Sequence, residues 1–184
     1  MWVEEYIGYY KDICSEICDS ITQHNYNYQP STYSNHDGKL VSKGRVWMNE
    51  VWVRDGDPYY KEIKSAVERT IKLYSTQFEL FSVQRMTDFR INKYDEGGYM
   101  SKHCDNIHHS HGQQYGFPQL TSLLMLNDNY EGGELEFKNS DENMSLDLDK
   151  GDMVTFPSFL EHRVKPVLNG TRISLVGWML GPKF

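Results

Sequence analysis

The chain has 184 residues, a length that fits one globular domain with a substantial buried core. Its formal net charge of -7 disfavours broad electrostatic binding to nucleic acid, which needs clustered lysine and arginine. An odd number of cysteines and an acidic, amphipathic N-terminus argue against a disulfide framework, a signal peptide and a membrane span. We therefore expect a cytoplasmic protein with reduced thiols and no membrane partner, whose oligomeric state is open.

The first predicted elements are two helices with a strand between them. Apolar residues recur at helical spacing across residues 3–23, and Cys14 and Cys18 fall on the apolar face of this helix. The alternating segment GRVWMNEVWV predicts a strand. A second helix follows in DPYYKEIKSAVERTIKLYS, where Asp57 would be the N-cap and the proline after it the first helical residue.

The remainder of the chain has the pattern of strands. Short apolar runs are separated by glycine, asparagine and aspartate turns, and these runs are LTSLLMLN, GGELEF, DMVTFP, HRVKPVL and TRISLVGWML. The pattern predicts a mainly β protein with two helices from its N-terminal half packed on an antiparallel sandwich or barrel. We expect one domain over residues 1–184, made of a helical support part, residues 1–82, and a β core, residues 83–181.

A metal site is indicated by the segment YMSKHCDNIHHSHGQ, because in an extended strand His103 and Asp105 would lie on one face and could share an ion. This pair alone carries little weight. His162 can add a third ligand from another strand, and Arg172 lies on the strand that follows. Two imidazoles and one carboxylate leave coordination positions open, as in non-haem Fe(II) oxygenases, whereas a structural zinc site is closed by four ligands.

The three other histidines of this segment, His108, His109 and His111, lie in a loop that contains glycine and glutamine. A long loop beside a metal site is more often a lid or a substrate contact than a second metal centre. We expect these histidines not to be ligands, and their role is open.

Three segments of the β core resemble the Fe(II)- and 2-oxoglutarate-dependent dioxygenases, and among them the prolyl 4-hydroxylase-like branch of bacterial and phage type. They are FRINKYDEGGYMSKHCD, LTSLLMLNDNYEGGELEF and KGDMVTFPSFLEHRVKPVLNGTRISLVGW. The resemblance implies a double-stranded β-helix, a cupin-like jelly roll. It also implies that His103, Asp105 and His162 bind Fe(II).

The same resemblance implies a site for the cosubstrate 2-oxoglutarate. Arg172 would pair with the distal carboxylate of 2-oxoglutarate, and Tyr94 and Thr121 are further candidate contacts. A planar guanidinium suits this role because it can hold a carboxylate through two parallel hydrogen bonds. Together with the three iron ligands, Arg172 would complete the catalytic set. The implied cofactors are Fe(II), 2-oxoglutarate and O2, with ascorbate as a candidate reductant.

The expected reaction is hydroxylation of a substrate C–H bond with release of succinate and CO2. The resemblance favours a prolyl residue in a protein or peptide, with a free amino acid or another small metabolite as the alternative. A nucleic-acid dealkylase is disfavoured because Trp178 stands where such enzymes typically carry a second arginine. A metal-binding jelly roll without catalysis would have no need of Arg172.

Two positions depart from the family pattern. Met100 stands where the family usually has an aromatic residue, so the geometry on the substrate side is open. Arg172 replaces the lysine that is general in animal and plant prolyl hydroxylases, which weakens the transfer of their substrates to this chain.

The path of the chain between His162 and Arg172 raises a question of strand parity. Asn169 and Gly170 would ordinarily form a two-residue hairpin turn, which would direct Arg172 away from the face of His162. We therefore expect an odd-length hairpin loop, closed by Gly170 in the left-handed region, with Pro166 opposite Arg172.

Overall fold

The computed structural model describes residues 3–31, 33–34, 40–41, 44–79, 81–107, 116–140 and 142–182. Two α-helices, α1 (Ser15–Gln23) and α2 (Tyr60–Gln77), and two 3₁₀ turns (Val3–Tyr6 and Asp105–Ile107) occur in these ranges. The strands, in chain order, are β1 (Gly8–Tyr10), β2 (Gln29–Pro30), β3 (Tyr33–Ser34), β4 (Leu40–Val41), β5 (Val46–Trp47), β6 (Asn49–Val53), β7 (Arg85–Met86), β8 (Phe89–Tyr94), β9 (Tyr99–His103), β10 (Phe117–Met125), β11 (Glu131–Gly132), β12 (Leu135–Phe137), β13 (Met144–Leu146), β14 (Met153–Pro157), β15 (His162–Val164), β16 (Val167–Asn169) and β17 (Arg172–Gly181). Among the described residues, no helix is long and apolar enough to cross a membrane.

The strands form two larger sheets. The main sheet has the order β1-β14-β10-β17-β8-β6-β2, with β7 also paired to β17, and the second sheet has the order β13-β12-β15-β9-β5. Two short pairs, β11 with β16 and β3 with β4, complete the pattern. The predicted jelly roll with two helices packed on it is confirmed.

The two faces of the main sheet have different partners. Leu175 and Met179 of β17 join Ile63 of α2 in the apolar cluster between the sheet and the helices. Cys14 and Cys18 lie in the same cluster, so their predicted place in the core is confirmed. Because side chains alternate along a strand, the even-numbered residues of β17 point to the opposite face, into the space between the sheets.

The prediction of one continuous helix over residues 3–23 is wrong. The chain makes a 3₁₀ turn, then pairs as β1 with β14, and only then enters α1. Gly8 permits this close packing, because a Cβ atom there would lie 2.8 Å from the ring of Tyr74. Asp12, at a φ of +50°, then turns the chain toward the helix.

The predicted start of the second helix is also wrong. α2 begins at Tyr60 rather than after Asp57, and its N-cap, Tyr59, has a φ of +65° and makes no side-chain capping bond. The Asp57 carboxylate instead accepts the backbone N–H of Arg54 at 2.7 Å. The single predicted strand before it is divided at Met48 into β5 and β6, which lie in different sheets.

The predicted hairpin between His162 and Arg172 is wrong, because β16 pairs with β11 and β17 pairs with β8 and β10. The chain crosses from one sheet to the other between Asn169 and Arg172. Gly170 has a φ of +80° at this crossing, so its predicted left-handed conformation is confirmed. The crossing lets Arg172 enter the main sheet with its side chain buried, without an odd-length hairpin loop.

The helix–sheet cluster predicts a contrast within α2. Replacing Ile63, which is fully buried, by alanine should lower the free energy of unfolding by about 2–5 kcal/mol, since the change leaves a cavity against the sheet. The matched change Leu73→Ala, at a residue that is 44% exposed, should cost less than about 1 kcal/mol. Urea denaturation of both variants measures the difference, and equal losses would contradict the packing described.

Candidate metal centre

The three residues predicted as metal ligands lie together. His103 ends β9, His162 begins β15, and the two are direct partners across these antiparallel strands. Asp105 follows in a 3₁₀ turn, with its carboxylate oxygens 3.3 Å from Nε2 of His103 and 3.7 Å from Nε2 of His162. One ligand atom from each residue lies within 4.8 Å of the others, so the group could hold a metal ion.

Asp105 lies in a turn after β9, so the alternation of side chains along a strand does not determine its direction. Its backbone N–H and that of Asn106 both donate to the carbonyl of Ser158, at 2.9 and 3.2 Å. These bonds end β9 and fold the chain into the turn. The expectation that His103 and Asp105 share a strand face is therefore wrong, although the two side chains do meet.

The backbone orients both histidine rings. Nδ1 of His103 is 2.8 Å from the carbonyl oxygen of Ser101, and Nδ1 of His162 is 2.9 Å from that of Leu160. A carbonyl oxygen only accepts hydrogen bonds, so each Nδ1 carries a proton, and in the neutral imidazole each Nε2 keeps its lone pair. Two Nε2 lone pairs and a carboxylate therefore converge, and this donor set fits a divalent transition-metal ion.

Burial and mutual charge set the protonation states. Burial, and then the neighbouring His103, lowers the pKa of His162 to about 4. Burial alone would raise the pKa of Asp105, but the two imidazoles and a hydrogen bond from Thr121 outweigh it and hold this pKa well below the usual range. Burial would lower the pKa of His103, but Asp105 outweighs burial and raises it. A neutral His162 and an ionised Asp105 are the forms that bind metal ions.

Thr121 of β10 contacts the candidate ligand set directly. Its hydroxyl donates to Oδ2 of Asp105 at 2.6 Å and lies 2.9 Å from the hydroxyl of Ser158. All three side chains are buried. Thr121 thus fixes the orientation of the Asp105 carboxylate, while its predicted contact with 2-oxoglutarate stays a prediction.

Arg172 is buried inside the barrel, with 1% of its surface exposed. Nη1 donates to the hydroxyl of Ser174 at 2.8 Å, Nη2 lies 3.4 Å from the sulfur of Met125, and the guanidinium carbon is 5.3 Å from the ring centroid of Tyr94. Nε has no hydrogen-bond partner, and no described carboxylate forms an ion pair with this side chain. A buried cation in this state calls for an anionic partner.

Tyr130 is a residue near Arg172 that the sequence did not single out. Burial raises the pKa of its hydroxyl, while the charge of Arg172 and a hydrogen bond with it act in the opposite direction. Tyr130 and Arg172 both line a cavity of about 210 Å³, whose other lining residues include Asp128 and Asp147. Tyr130 lies in the turn NDNYEGG, which has no hydrophobic periodicity from which a buried residue could be predicted.

The structure therefore brings all six predicted site residues into direct contacts, which fall into two groups. His103, Asp105, His162 and Thr121 form one group, and Arg172 lies against Tyr94 in the other. The cavity beside Arg172 is not lined by the three candidate ligands. The histidines His108, His109 and His111 lie outside the described residues.

Comparison with known proteins identifies relatives of this arrangement. A family model described as the 2OG-Fe(II) oxygenase superfamily matches residues 89–180. A PKHD-type hydroxylase of a Synechococcus species is 32% identical over 121 residues, which are 65% of this chain and 53% of that protein. The chain spans about half the length of the curated relatives it matches.

Solved structures give the same fold. A prolyl-4-hydroxylase from Pseudomonas putida has a TM-score of 0.75 at 15% identity, covering 96% of this chain and 93% of that one. A prolyl hydroxylase from Trichoplax adhaerens, solved with a peptide fragment of the hypoxia inducible factor oxygen degradation domain, has a TM-score of 0.74 at 19% identity and covers 96% and 84%. At these identities the likeness shows the fold alone.

The contact between Thr121 and Asp105 predicts a specific effect on metal affinity. Thr121→Val removes the hydroxyl that holds the carboxylate and should weaken Fe(II) binding by about 10- to 100-fold, whereas Thr121→Ser should retain it. The control is Ser122→Ala, which removes a neighbouring buried hydroxyl that bonds to Thr155 instead. Anaerobic equilibrium dialysis with Fe(II) measures the three affinities. Equal affinities in the valine and serine variants would show that the hydroxyl has no such role.

Proposed function

The chain belongs to the 2OG-Fe(II) oxygenase superfamily, and from this we propose that it is an Fe(II)- and 2-oxoglutarate-dependent dioxygenase with His103, Asp105 and His162 as its iron ligands. The family prediction from the sequence motifs is confirmed. The observation that carries the proposal is the convergence of two Nε2 atoms and a carboxylate within 4.8 Å of one another. Three protein ligands leave coordination positions for a cosubstrate and O2.

Arg172 supports the cosubstrate assignment. Its guanidinium is fixed by Ser174 and by the ring of Tyr94, and its Nε–H is without a partner. The distal carboxylate of 2-oxoglutarate would supply the missing anion, while the 2-oxo acid end faces the metal. Charge-assisted hydrogen bonds of this kind are stronger than neutral ones, and the barrel interior shields them from water.

The protein's part in the reaction is to bind, to orient and to exclude water. Iron, when bound with 2-oxoglutarate and O2, supplies the oxidation that places a hydroxyl group on a substrate C–H bond with release of succinate and CO2. The backbone carbonyls of Ser101 and Leu160 hold the two imidazoles, and Thr121 holds the carboxylate of Asp105. Asp105 and His162 are buried and His103 is partly buried, which limits the access of solvent to the three side chains.

For the substrate, we propose a prolyl residue in a protein or peptide. This choice is supported by the names of the PKHD-type hydroxylase relatives and by the solved prolyl hydroxylases with the same fold. One of these solved structures holds a peptide. A free amino acid or another small metabolite is the second candidate. Use of ascorbate as reductant stays a prediction.

The iron assignment predicts the outcome of single substitutions. His103→Ala, Asp105→Ala and His162→Ala should each abolish iron-dependent conversion of 2-oxoglutarate to succinate and weaken Fe(II) binding in equilibrium dialysis. His24→Ala is the control, because its ring packs on Tyr26 and Tyr59 and takes no part in the cluster. A comparable loss of iron in His24→Ala, or full iron binding in the triad variants, would refute the assignment.

The cosubstrate assignment predicts a separable effect at Arg172. Arg172→Met should keep Fe(II) binding but raise the KM for 2-oxoglutarate by about 30-fold or more, because removing one partner of a desolvated charge pair costs about 2–5 kcal/mol. Arg163→Met is the matched control, since Arg163 lies next to His162 but pairs with Glu136. Steady-state succinate formation gives both constants, and an unchanged KM in Arg172→Met would contradict the assignment.

A further inference from the structure

A second polar group faces the interior of the barrel and takes no part in the metal centre. On β8, Arg90 lies opposite Trp52 of β6, and Asn92 lies opposite Glu50 of the same strand. Ile91, between them, points to the other face and packs in the helix–sheet cluster. Side chains alternate along a strand, so Arg90 and Asn92 share the inner face.

This group adjoins the candidate metal centre. The guanidinium carbon of Arg90 is 5.0 Å from the ring centroid of Trp178. Trp178 is the direct partner of Thr121 on β10, and Thr121 donates to Asp105. Tyr94, which lies against the cosubstrate arginine, is on the same strand and the same face as Arg90. The Arg90 group therefore forms a side wall of the same interior space.

The Arg90 side chain is held in one place and its charge is compensated. Its guanidinium carbon is also 6.0 Å from the ring centroid of Trp52, so the cation lies against both indole rings, whose centroids are 6.1 Å apart. Nη1 is 3.5 Å from a carboxylate oxygen of Glu50, and the same oxygen accepts the hydroxyl of Ser31 at 2.6 Å. Such contacts fix the guanidinium plane and leave little net charge.

Two buried polar atoms of this wall have no hydrogen-bond partner among the described residues. They are the Nε donor of Arg90 and the Oδ1 acceptor of Asn92, and Asn92 is only 4% exposed. The two residues are two positions apart on one strand, about 7 Å along it. A ligand that offers one acceptor and one donor along the strand would satisfy both atoms, whose lack of a partner is otherwise unfavourable in a buried setting.

The main chain of an extended peptide has this chemistry, because each extended residue presents its own N–H and C=O to the same side. A free amino acid fits less well: its carboxylate would approach a guanidinium that Glu50 already neutralises, and Glu50 would repel it. We propose that Arg90 and Asn92 bind the main chain of an extended peptide substrate, with a carbonyl on Nε of Arg90 and an N–H on Oδ1 of Asn92. This inference rests on the proposed hydroxylase function and assigns the residues that select a peptide over a free amino acid.

The test compares two substrate pools on the full chain with Fe(II) and 2-oxoglutarate. One pool contains acetylated and amidated hexapeptides randomised at every position, and the other contains the twenty free amino acids. The peptide pool should stimulate succinate formation and the amino-acid pool should not. Peptide binding is also followed by the fluorescence of the four tryptophans, which include Trp52 and Trp178 of this wall, and this measurement requires no turnover.

Two variants and a control identify the residues. Asn92→Leu keeps the side-chain shape, Arg90→Met keeps the unbranched apolar stem, and both remove the polar atoms, so each should weaken peptide binding by about tenfold, the effect of one hydrogen bond to a fixed partner. Arg54→Met is the control, because Arg54 is an exposed arginine of similar ion-pair geometry, 3.7 Å from Asp88. Its peptide binding should equal that of the unchanged chain.

The outcomes separate this inference from the proposed function. Absence of peptide binding, stimulation by free amino acids alone, or peptide binding in Arg90→Met and Asn92→Leu that equals that of Arg54→Met would each overturn the inference. Equilibrium dialysis with labelled 2-oxoglutarate and Fe(II) tests the proposed function by itself. If the unchanged chain does not bind 2-oxoglutarate, the proposed function is refuted. The fluorescence titrations would still decide whether Arg90 and Asn92 bind a peptide.

Discussion

A cation enclosed by the barrel without an anion from the described residues is the constraint on which the site depends. Arg172 is 1% exposed, and taking such a charge out of water costs several kcal/mol unless it is compensated. Its neighbours hold it without neutralising it: Ser174 accepts one N–H, and the ring of Tyr94 lies against the guanidinium. An anion that binds here would compensate the charge and lower the free energy of the folded state. By our proposal, a dicarboxylate cosubstrate would supply that anion and so stabilise the fold around Arg172.

The jelly roll matters because each sheet supplies a different part of the site. The second sheet supplies both histidines through the direct pairing of β9 with β15, and the main sheet supplies Arg172 and Thr121. Asp105 joins the sheets, since it follows β9, receives the hydroxyl of Thr121, and donates its N–H to Ser158 beyond β14. The spacing between the candidate metal centre and Arg172 is thus a property of how the sheets pack. Substrate selectivity, by our proposal, comes from a third position on the main sheet, β8.

Local sequence patterns predicted the fold class and the candidate ligands, whose clustering the structure shows, but not the way the chain assembles them. His103, Asp105 and His162 were identified by residue type and motif, yet Asp105 reaches the site through a turn held by a residue far along the chain. Helical spacing could not reveal that Gly8–Tyr10 pairs with β14, because that contact joins opposite ends of the sequence. The expected hairpin failed for the same reason: turn residues describe local geometry, whereas the partner of β16 is the distant β11. Asn92 carries no local signal at all, since its importance lies in an unpaired atom.

The central claim is that this chain binds iron and 2-oxoglutarate together at the His103, Asp105 and His162 centre. Anaerobic titration of the chain with Fe(II) and then 2-oxoglutarate, followed by visible absorption spectroscopy, tests it most directly. We expect a weak charge-transfer band that saturates at one cosubstrate per chain and is absent in Asp105→Ala. A chain that takes up Fe(II) but develops no band with 2-oxoglutarate, or an unchanged band in Asp105→Ala, would contradict it.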